Sequence, residues 1–378
     1  MEQMCDMRFE LQPVLRSTVP DVAAFLHRWG STEVKGSPAH APPRESVGSI
    51  ERRLKWLLSD NPLATTESTV GYCLRDSLGA IRGVDLCFPV AFLLADKRLL
   101  GLCSGSFFVE TTARSMGFYL FKKCVKTPGY SFQFASTCNT YSSELWRTIG
   151  ASPVPNSDTE YFLPIRLDMV IAACVAHVTS SQSAARIARL CGRSANPVLR
   201  LLTRPSAKFS IEPCQDWEKL SALSRRHRCP NHITSDRSPA FLQWRYGPGS
   251  PSHPCGIYLF RDERGNEGWF ALSRVNRGKG WPLRTAVLLD AIWPREQISY
   301  RDVFDEILHV TAATADAISF RWQPGLDYSS YSRCVIPRKL GVSRAFVSMP
   351  KGSSRFALDS FDYDDSDYIA WRFQWAEG

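Results

Sequence analysis

"VETTARSMGFYLFKKCV", residues 109 to 125, is the stretch on which the fold turns. An apolar run ending at Val109 gives way to a polar turn holding Glu110, Arg114 and Ser115, and Gly117 then opens a segment with helical spacing. A helix that starts there offers unpaired backbone N–H groups and about half a positive charge, so the position suits an anion. Glycine lets the backbone approach such an anion closely, and Arg114 adds a charge-assisted donor.

Reading outward, residues 7–14 alternate like a strand, and 19–30 and 49–62 carry helical spacing, the second ending at an Asn-Pro terminator. Residues 69–88 read as a hairpin about Asp76, Ser77 and Gly79. A separate third strand, "AFLLA" (91–95), turns through "DKR" into a fourth at 99–109. Beyond the opening stretch come a strand at 130–137, a helix at 140–150 with a glycine C-cap, and a strand at 160–167. The order predicts a mixed α/β sheet.

Residues 168–207 hold no acid after Asp168 but include Arg186, Arg189, Arg193, Arg200 and Arg204. They read as linker helices packed on the domains, with peripheral contact to an anionic membrane, or contact with nucleic acid, as the alternatives. The pattern then restarts with helices at 217–227 and 239–247, a strand at 284–293, a helix at 300–315 and a strand at 316–323. The hairpin at 255–275 matches the first, since "YLFRDERGNEG" parallels "YCLRDSLGAIRG". An internal duplication follows. The expected fold class is α/β (α+β), with two mixed-sheet domains in tandem: 1–167, a basic helical linker at 168–207, and 208–378.

The length of 378 residues fits two domains, and 44% hydrophobic with 22% charged residues describes a globular chain. A formal charge of +9 favours anionic partners without choosing among them. The twelve cysteines form no C-x-x-C pair and read as reduced thiols. No apolar run approaches the roughly 20 residues that span a bilayer, and a cytoplasmic location is expected.

Residues 7–167 resemble the GCN5-related N-acetyltransferase (GNAT) superfamily. Its signature is V-x-P-x-x-R-x-x-G-x-G/A between the fourth strand and the next helix. Val109, Arg114 and Gly117 stand at the matching spacings; Thr111 replaces the proline and Tyr119 the small last residue. "NTYSSELWRTIGA" (139–151) resembles the family's later helix element. The resemblance implies acetyl-CoA or another acyl-CoA as co-substrate, and no metal. It implies a diphosphate held by Arg114 and the amides of Ser115, Met116, Gly117, Phe118 and Tyr119, with pantetheine along Phe107, Phe108 and Val109. Asn139 either caps its helix or contacts the pantetheine. Trp146 stands where many relatives place the tyrosine that protonates the departing thiolate. Tyr141 and Ser142, one turn earlier, are the candidate substitutes, and Glu110 is the candidate base for the amine.

The second half lacks the loop, so the resemblance implies a degenerate copy shaping an acceptor cleft between the halves. The implied acceptor is a small-molecule amine, for instance an amino sugar. A Fem-like aminoacyl transferase, with an aminoacyl-tRNA as its donor, is the enzyme alternative. A catalytically inactive binding protein is the non-enzyme alternative. "HRCPNH" (227–232) has ligand residue types but no second cluster to complete a zinc site. "DSFDYDDSDY" (359–368) departs from the EF-hand loop at its sixth and twelfth places, and reads as a solvated turn before a final strand at 368–375. "LQWRYG" (242–247) reads as an aromatic anchor with an arginine stacked nearby.

Overall fold

The computed structural model describes residues 8–31, 46–65, 70–202, 208–251, 255–277, 281–321, 335–341, 345–349 and 361–362. The N-terminal half runs β1 (Glu10–Pro13), α1 (Val19–Ser31), α2 (Val47–Leu58), β2 (Gly71–Arg75), β3 (Ile81–Leu94) and β4 (Lys97–Val109). A 3-10 turn (Thr111–Met116) leads into α3 (Gly117–Val125), β5 (Phe132–Ala135), α4 (Thr140–Thr148), β6 (Ser152–Pro153) and β7 (Thr159–Pro164). Helices α5 (Leu167–Thr179), α6 (Gln182–Gly192) and α7 (Asn196–Leu202) follow. The C-terminal half runs β8 (Phe209–Pro213), α8 (Trp217–Arg226), β9 (Ile233–Ser235), α9 (Pro239–Tyr246), β10 (Cys255–Asp262), β11 (Glu267–Arg277) and β12 (Leu283–Ile292). It continues through α10 (Tyr300–Thr311), β13 (Ala317–Arg321), β14 (Ile336–Lys339), β15 (Phe346–Ser348) and β16 (Phe361–Asp362).

Two mixed sheets result. The first is ordered β1-β2-β3-β4-β5-β15-β6, with β9 on β3 and β16 on β9; the second is ordered β14-β7-β13-β12-β11-β10-β8. Strands cross the linker in both directions: β7 joins the second sheet antiparallel to β13, while β15 joins the first antiparallel to β5 and β9 joins it antiparallel to β3, with β16 beyond β9.

The duplication extends to hydrogen bonds. In the first hairpin turn Asp76 Oδ1 accepts from the amides of Leu78 and Ala80, and Gly79 takes φ +78°. In the second, Asp262 Oδ1 accepts from Arg264 and Asn266, and Gly265 takes φ +83°. Glycine is the residue that adopts this conformation without steric cost, so both turns keep Asp-x-x-Gly.

"AFLLA" is not a separate strand: β3 is continuous through Pro89 to Leu94, and it pairs with β4 along that length. The Pro89 carbonyl accepts from Asn61 Nδ2 at 3.0 Å, so this residue's polar atoms face away from β4. There β2 has already ended, its last pair being Gly71 with Leu86, and a missing N–H breaks no ladder bond.

Helix starts follow their side chains. Ser46, Asn139, Ser181, Asp216 and Ser299 each accept from an amide in the first turn of α2, α4, α6, α8 and α10. Apolar faces of α1 and α2 pack on the first sheet, where Phe25, Leu54 and Leu57 meet Phe88, Phe92 and Phe132 in one core. The same core takes in Trp244 of α9, stacked on Trp56 of α2 with centroids 4.5 Å apart. Each indole N–H donates to the other tryptophan's backbone carbonyl at 2.8 Å. The anchor expected of "LQWRYG" is therefore Trp244, and Arg245 lies over the Tyr246 ring at 5.4 Å.

The linker helices α5 and α6 pack through Ala172, Ala176 and Ala185. Asp168, fully buried, accepts from Asn196, Arg166 and Arg189, tying α5 to both later helices. No helix among the described residues is long and apolar enough to cross a membrane. The expected final strand and most of the acidic turn before it lie outside the described residues.

Candidate active site

Strands β4 and β5 pair in parallel for three residues only, Gly101 to Cys103. Beyond Cys103, β4 runs on to Val109 bonded to β3 alone, leaving its other edge free of β5. Between Gly105 and Phe108 the register against β3 slips, and Ser106 sits at this bulge with φ +61°. Ser106 is 8% exposed, and its hydroxyl is buried without a hydrogen-bond partner. Past the end of β5, Ser136 is fully buried and its hydroxyl also lacks a partner. Its carbonyl accepts from Arg321 at the end of β13. β4 and β5 thus stop pairing at ends that each carry an orphaned buried hydroxyl, and the edge of β4 beyond Cys103 has no β5 partner.

The opening stretch lies at the end of that edge. Glu110 precedes the 3-10 turn, Ala113 is buried, and α3 begins at Gly117. Arg114 and Ser115 are exposed, Met116 packs beside Leu74 and Leu120, and Phe118 and Tyr119 are 40% and 54% exposed. Gly117 has an ordinary helical φ of −59°, and a Cβ built on it would point at Phe107 and Val109, 3.6 Å from each. Its missing side chain therefore faces β4, not the turn's outer surface.

Phe107 packs edge-on against Phe121 of α3, and Phe108 leans on the opposite core. Glu110 is held by Arg82 at 2.9 Å, and Arg82 also bonds Asp76 at 2.7 Å. The Arg82 bond holds the Asp76 carboxyl below its ordinary range. Below the bulge Ser104 donates to the fully buried Asp85 at 3.1 Å. Burial pushes the nearby Cys124 thiol well up, so it remains protonated.

On α4, Asn139 and Ser142 close a reciprocal capping box, each side chain bonding the other's backbone at 2.9 Å. Tyr141 is 85% exposed, and Trp146 is 2% exposed, edge-on to Phe121 in the core. The structure thus brings Phe107, Phe108, Val109, Arg114, Ser115, Met116 and Gly117 to one strand end. It turns Tyr141 to solvent, and commits Ser142 to a cap. Ser106 and Ser136 were not singled out by sequence reading, and a lone serine in a strand carries no pattern that would have flagged them.

The second half repeats the early end of parallel pairing. β12 pairs with β13 only from Thr285 to Val287, then runs to Ile292 with a register slip between Leu288 and Asp290. Among the described residues no group of three His, Cys, Asp or Glu gathers to hold a metal.

No family profile matches the chain, and no curated protein matches it by sequence. Solved structures do match its fold. A GCN5-related N-acetyltransferase from Anabaena variabilis aligns with TM-score 0.55 over 90% of this chain and 73% of its own, at 11% identity. Saccharomyces cerevisiae N-myristoyltransferase with bound myristoyl-CoA aligns with TM-score 0.55 over 93% of this chain and 83% of its own, also at 11% identity. A GCN5-related N-acetyltransferase from Kribbella flavida aligns with TM-score 0.52 over 91% and 71%, at 9% identity. The fold of this chain is a GNAT fold, present as two mixed sheets.

Proposed function

We propose that this chain is an acyl-CoA-dependent N-acyltransferase whose acyl donor lies between β4 and β5. The end of the β4–β5 pairing at Cys103, which leaves the edge of β4 from Ser104 onward without a β5 partner, supports the reading. The free edge from Ser104 to Val109 would pair with the pantetheine amides as an added strand would, and the Ser106 hydroxyl would gain the partner it lacks. Arg114, with the amides from Ser115 to Tyr119, would take the diphosphate at the start of α3.

The reaction is acyl transfer to an amine, here read as an amino sugar or another small amine. Nitrogen attacks the thioester carbonyl, a C–N bond forms, the C–S bond breaks, and the thiolate leaves while the amine's proton passes to water or a carboxylate. With Glu110 bound to Arg82 and Tyr141 in solvent, positioning of the amine against the thioester supplies most of the acceleration. The same arrangement favours a second reading, a protein that binds acyl-CoA without turnover.

Calorimetry with acetyl-CoA and longer acyl-CoAs tests the proposal. Arg114→Glu is the clean probe, because the side chain is exposed; Gly117→Glu would force a carboxylate against Phe107 and Val109. We expect binding by the wild type and at least a tenfold loss, about 1.4 kcal/mol, in Arg114→Glu. Absence of binding to every acyl-CoA would sink the proposal. Tight binding with no product on an amine panel would establish the second reading.

A further inference from the structure

The linker helices carry an outer surface that the acyl-transfer reading does not use. Four of the ten large apolar side chains that stand exposed among the described residues fall within it: Val178, Ile187, Leu190 and Val198, at 81%, 63%, 60% and 58% exposure. Isolated exposed aliphatics are ordinary, but such a concentration marks a surface that meets something. On α6, Ile187, Leu190 and Cys191 follow helical spacing and share one exposed face, opposite to Ala185, which packs on α5. Val178 stands at one end of α6, just before the turn into it, and Val198 beyond the other end, on α7.

Helix α5 shows the same excess. Between Met169 and Val178 it is apolar on every side but for His177, yet only Asp168, Ala172 and Ala176 of the whole helix are buried. A helix apolar all round belongs in an interior. This one leaves Cys174 and Val178 exposed and Met169, Val170, Ile171 and Val175 half-buried.

The charge on the surface is of one sign. Residues 169–207 contain no Asp or Glu and five arginines. Arg189 is turned inward, where it bonds Asp168 at 3.4 Å. Arg186 and Arg193 are exposed, about two turns apart along the edge of the Ile187 and Leu190 face, and neither bonds any described residue. An aliphatic face edged with unpaired arginines suits a lipid–water boundary, the aliphatics among acyl chains and the guanidinium groups at phosphates. Other occupants fit it less well. A two-fold contact between copies would set this acid-free segment against itself, arginine facing arginine. A nucleic acid would satisfy the arginines but gain no aromatic ring on which to stack its bases.

We propose that the outer face of α6, with Val178 and Val198 at its ends, docks on an anionic phospholipid surface. With 11 residues α6 falls well short of the roughly 20 that span a bilayer, so it lies along the surface. The docking face is separate from the residues read as holding acyl-CoA, which lie on β4, α3 and the turn between them.

Cosedimentation of the full chain with lipid vesicles tests this. Binding is expected with phosphatidylcholine vesicles that contain phosphatidylserine, and not with phosphatidylcholine alone. It should weaken about tenfold or more in R186E/R193E and several-fold in I187S/L190S. All of these side chains are exposed, so the variants should fold as the wild type does. Because the whole chain carries a charge of +9, R225E/R226E, an equal change of charge at the exposed end of α8, is the control and should shift binding less than about twofold. No binding to the anionic vesicles, or an equal loss in the control, would overturn the proposal. Binding indifferent to I187S/L190S would do the same, since charge alone would then explain it. Light scattering that shows a dimer dissociated by I187S/L190S would give the face to a second copy instead. Binding of a random-sequence RNA oligonucleotide that is lost in R186E/R193E and kept in I187S/L190S would give it to nucleic acid.

Discussion

Ser106 holds a left-handed backbone conformation that costs a residue with a Cβ about 1–2 kcal/mol, and it buries a hydroxyl with nothing to bond. Ser106→Gly should therefore raise stability by about 1 kcal/mol in urea melts, after allowing for glycine's unfolded-state entropy. The same change should weaken acyl-CoA binding if the hydroxyl meets the ligand, and equal affinity would remove Ser106 from the site. Glycines make the complementary test. Gly101→Ala would put a Cβ 2.8 Å from the Phe132 ring and 3.0 Å from Phe92, at an expected cost of about 1–3 kcal/mol. Gly117→Ala meets only ordinary contacts and should stay within about 1 kcal/mol of wild type. The spacing of Val109, Arg114 and Gly117 could be read in the sequence because helix starts have local rules. The bulge could not, because its strained residue is a serine and the strain is imposed by the neighbouring strand.

At the scale of elements, most strands and helices were legible from alternation, 3.6-residue spacing and caps. The strands β6, β8, β9, β14, β15 and β16 are too short to show a clear alternation and were not read, and in β3 Pro89 reads as a break until the absence of a β2 neighbour at that point is known. The pairing of α2 with α9 was equally hidden, since Trp56 and Trp244 are far apart in sequence and nothing local couples them. Trp56→Phe and Trp244→Phe should each cost about 1–2 kcal/mol, from a lost hydrogen bond and a stranded buried carbonyl. Because each indole serves the other's backbone, the double variant should cost less than the two single costs combined, a deviation that a double-mutant cycle in denaturant reads directly.

For the whole molecule, the decisive feature is the exchange of β7 and β15, which composition and periodicity could not show because strand partners carry no local signature. Glu160 fastens the exchanged β7. Burial alone would raise its carboxyl, but Arg277 at 2.7 Å, the Ser319 hydroxyl, Arg321 and Arg338 hold it below its ordinary value of 4.5. A depressed carboxyl contributes stability above its unfolded value and loses it as pH falls through the folded one. Glu160→Gln should thus lower stability at neutral pH and flatten its fall below about pH 4.5, as chemical denaturation across that window would show. A cut at the linker should leave residues 1–207 with β5 unpaired on one edge and β7 without a sheet, so this piece should aggregate when expressed alone. Co-expression with residues 208–378 should recover soluble protein. The exchange also sets an order of events on the ribosome: the first sheet cannot close until Phe346–Ser348 has been made, long after the rest of that sheet's N-terminal strands. During synthesis the earlier-made half must wait with an open edge, and its completion is tied to the emergence of the later one.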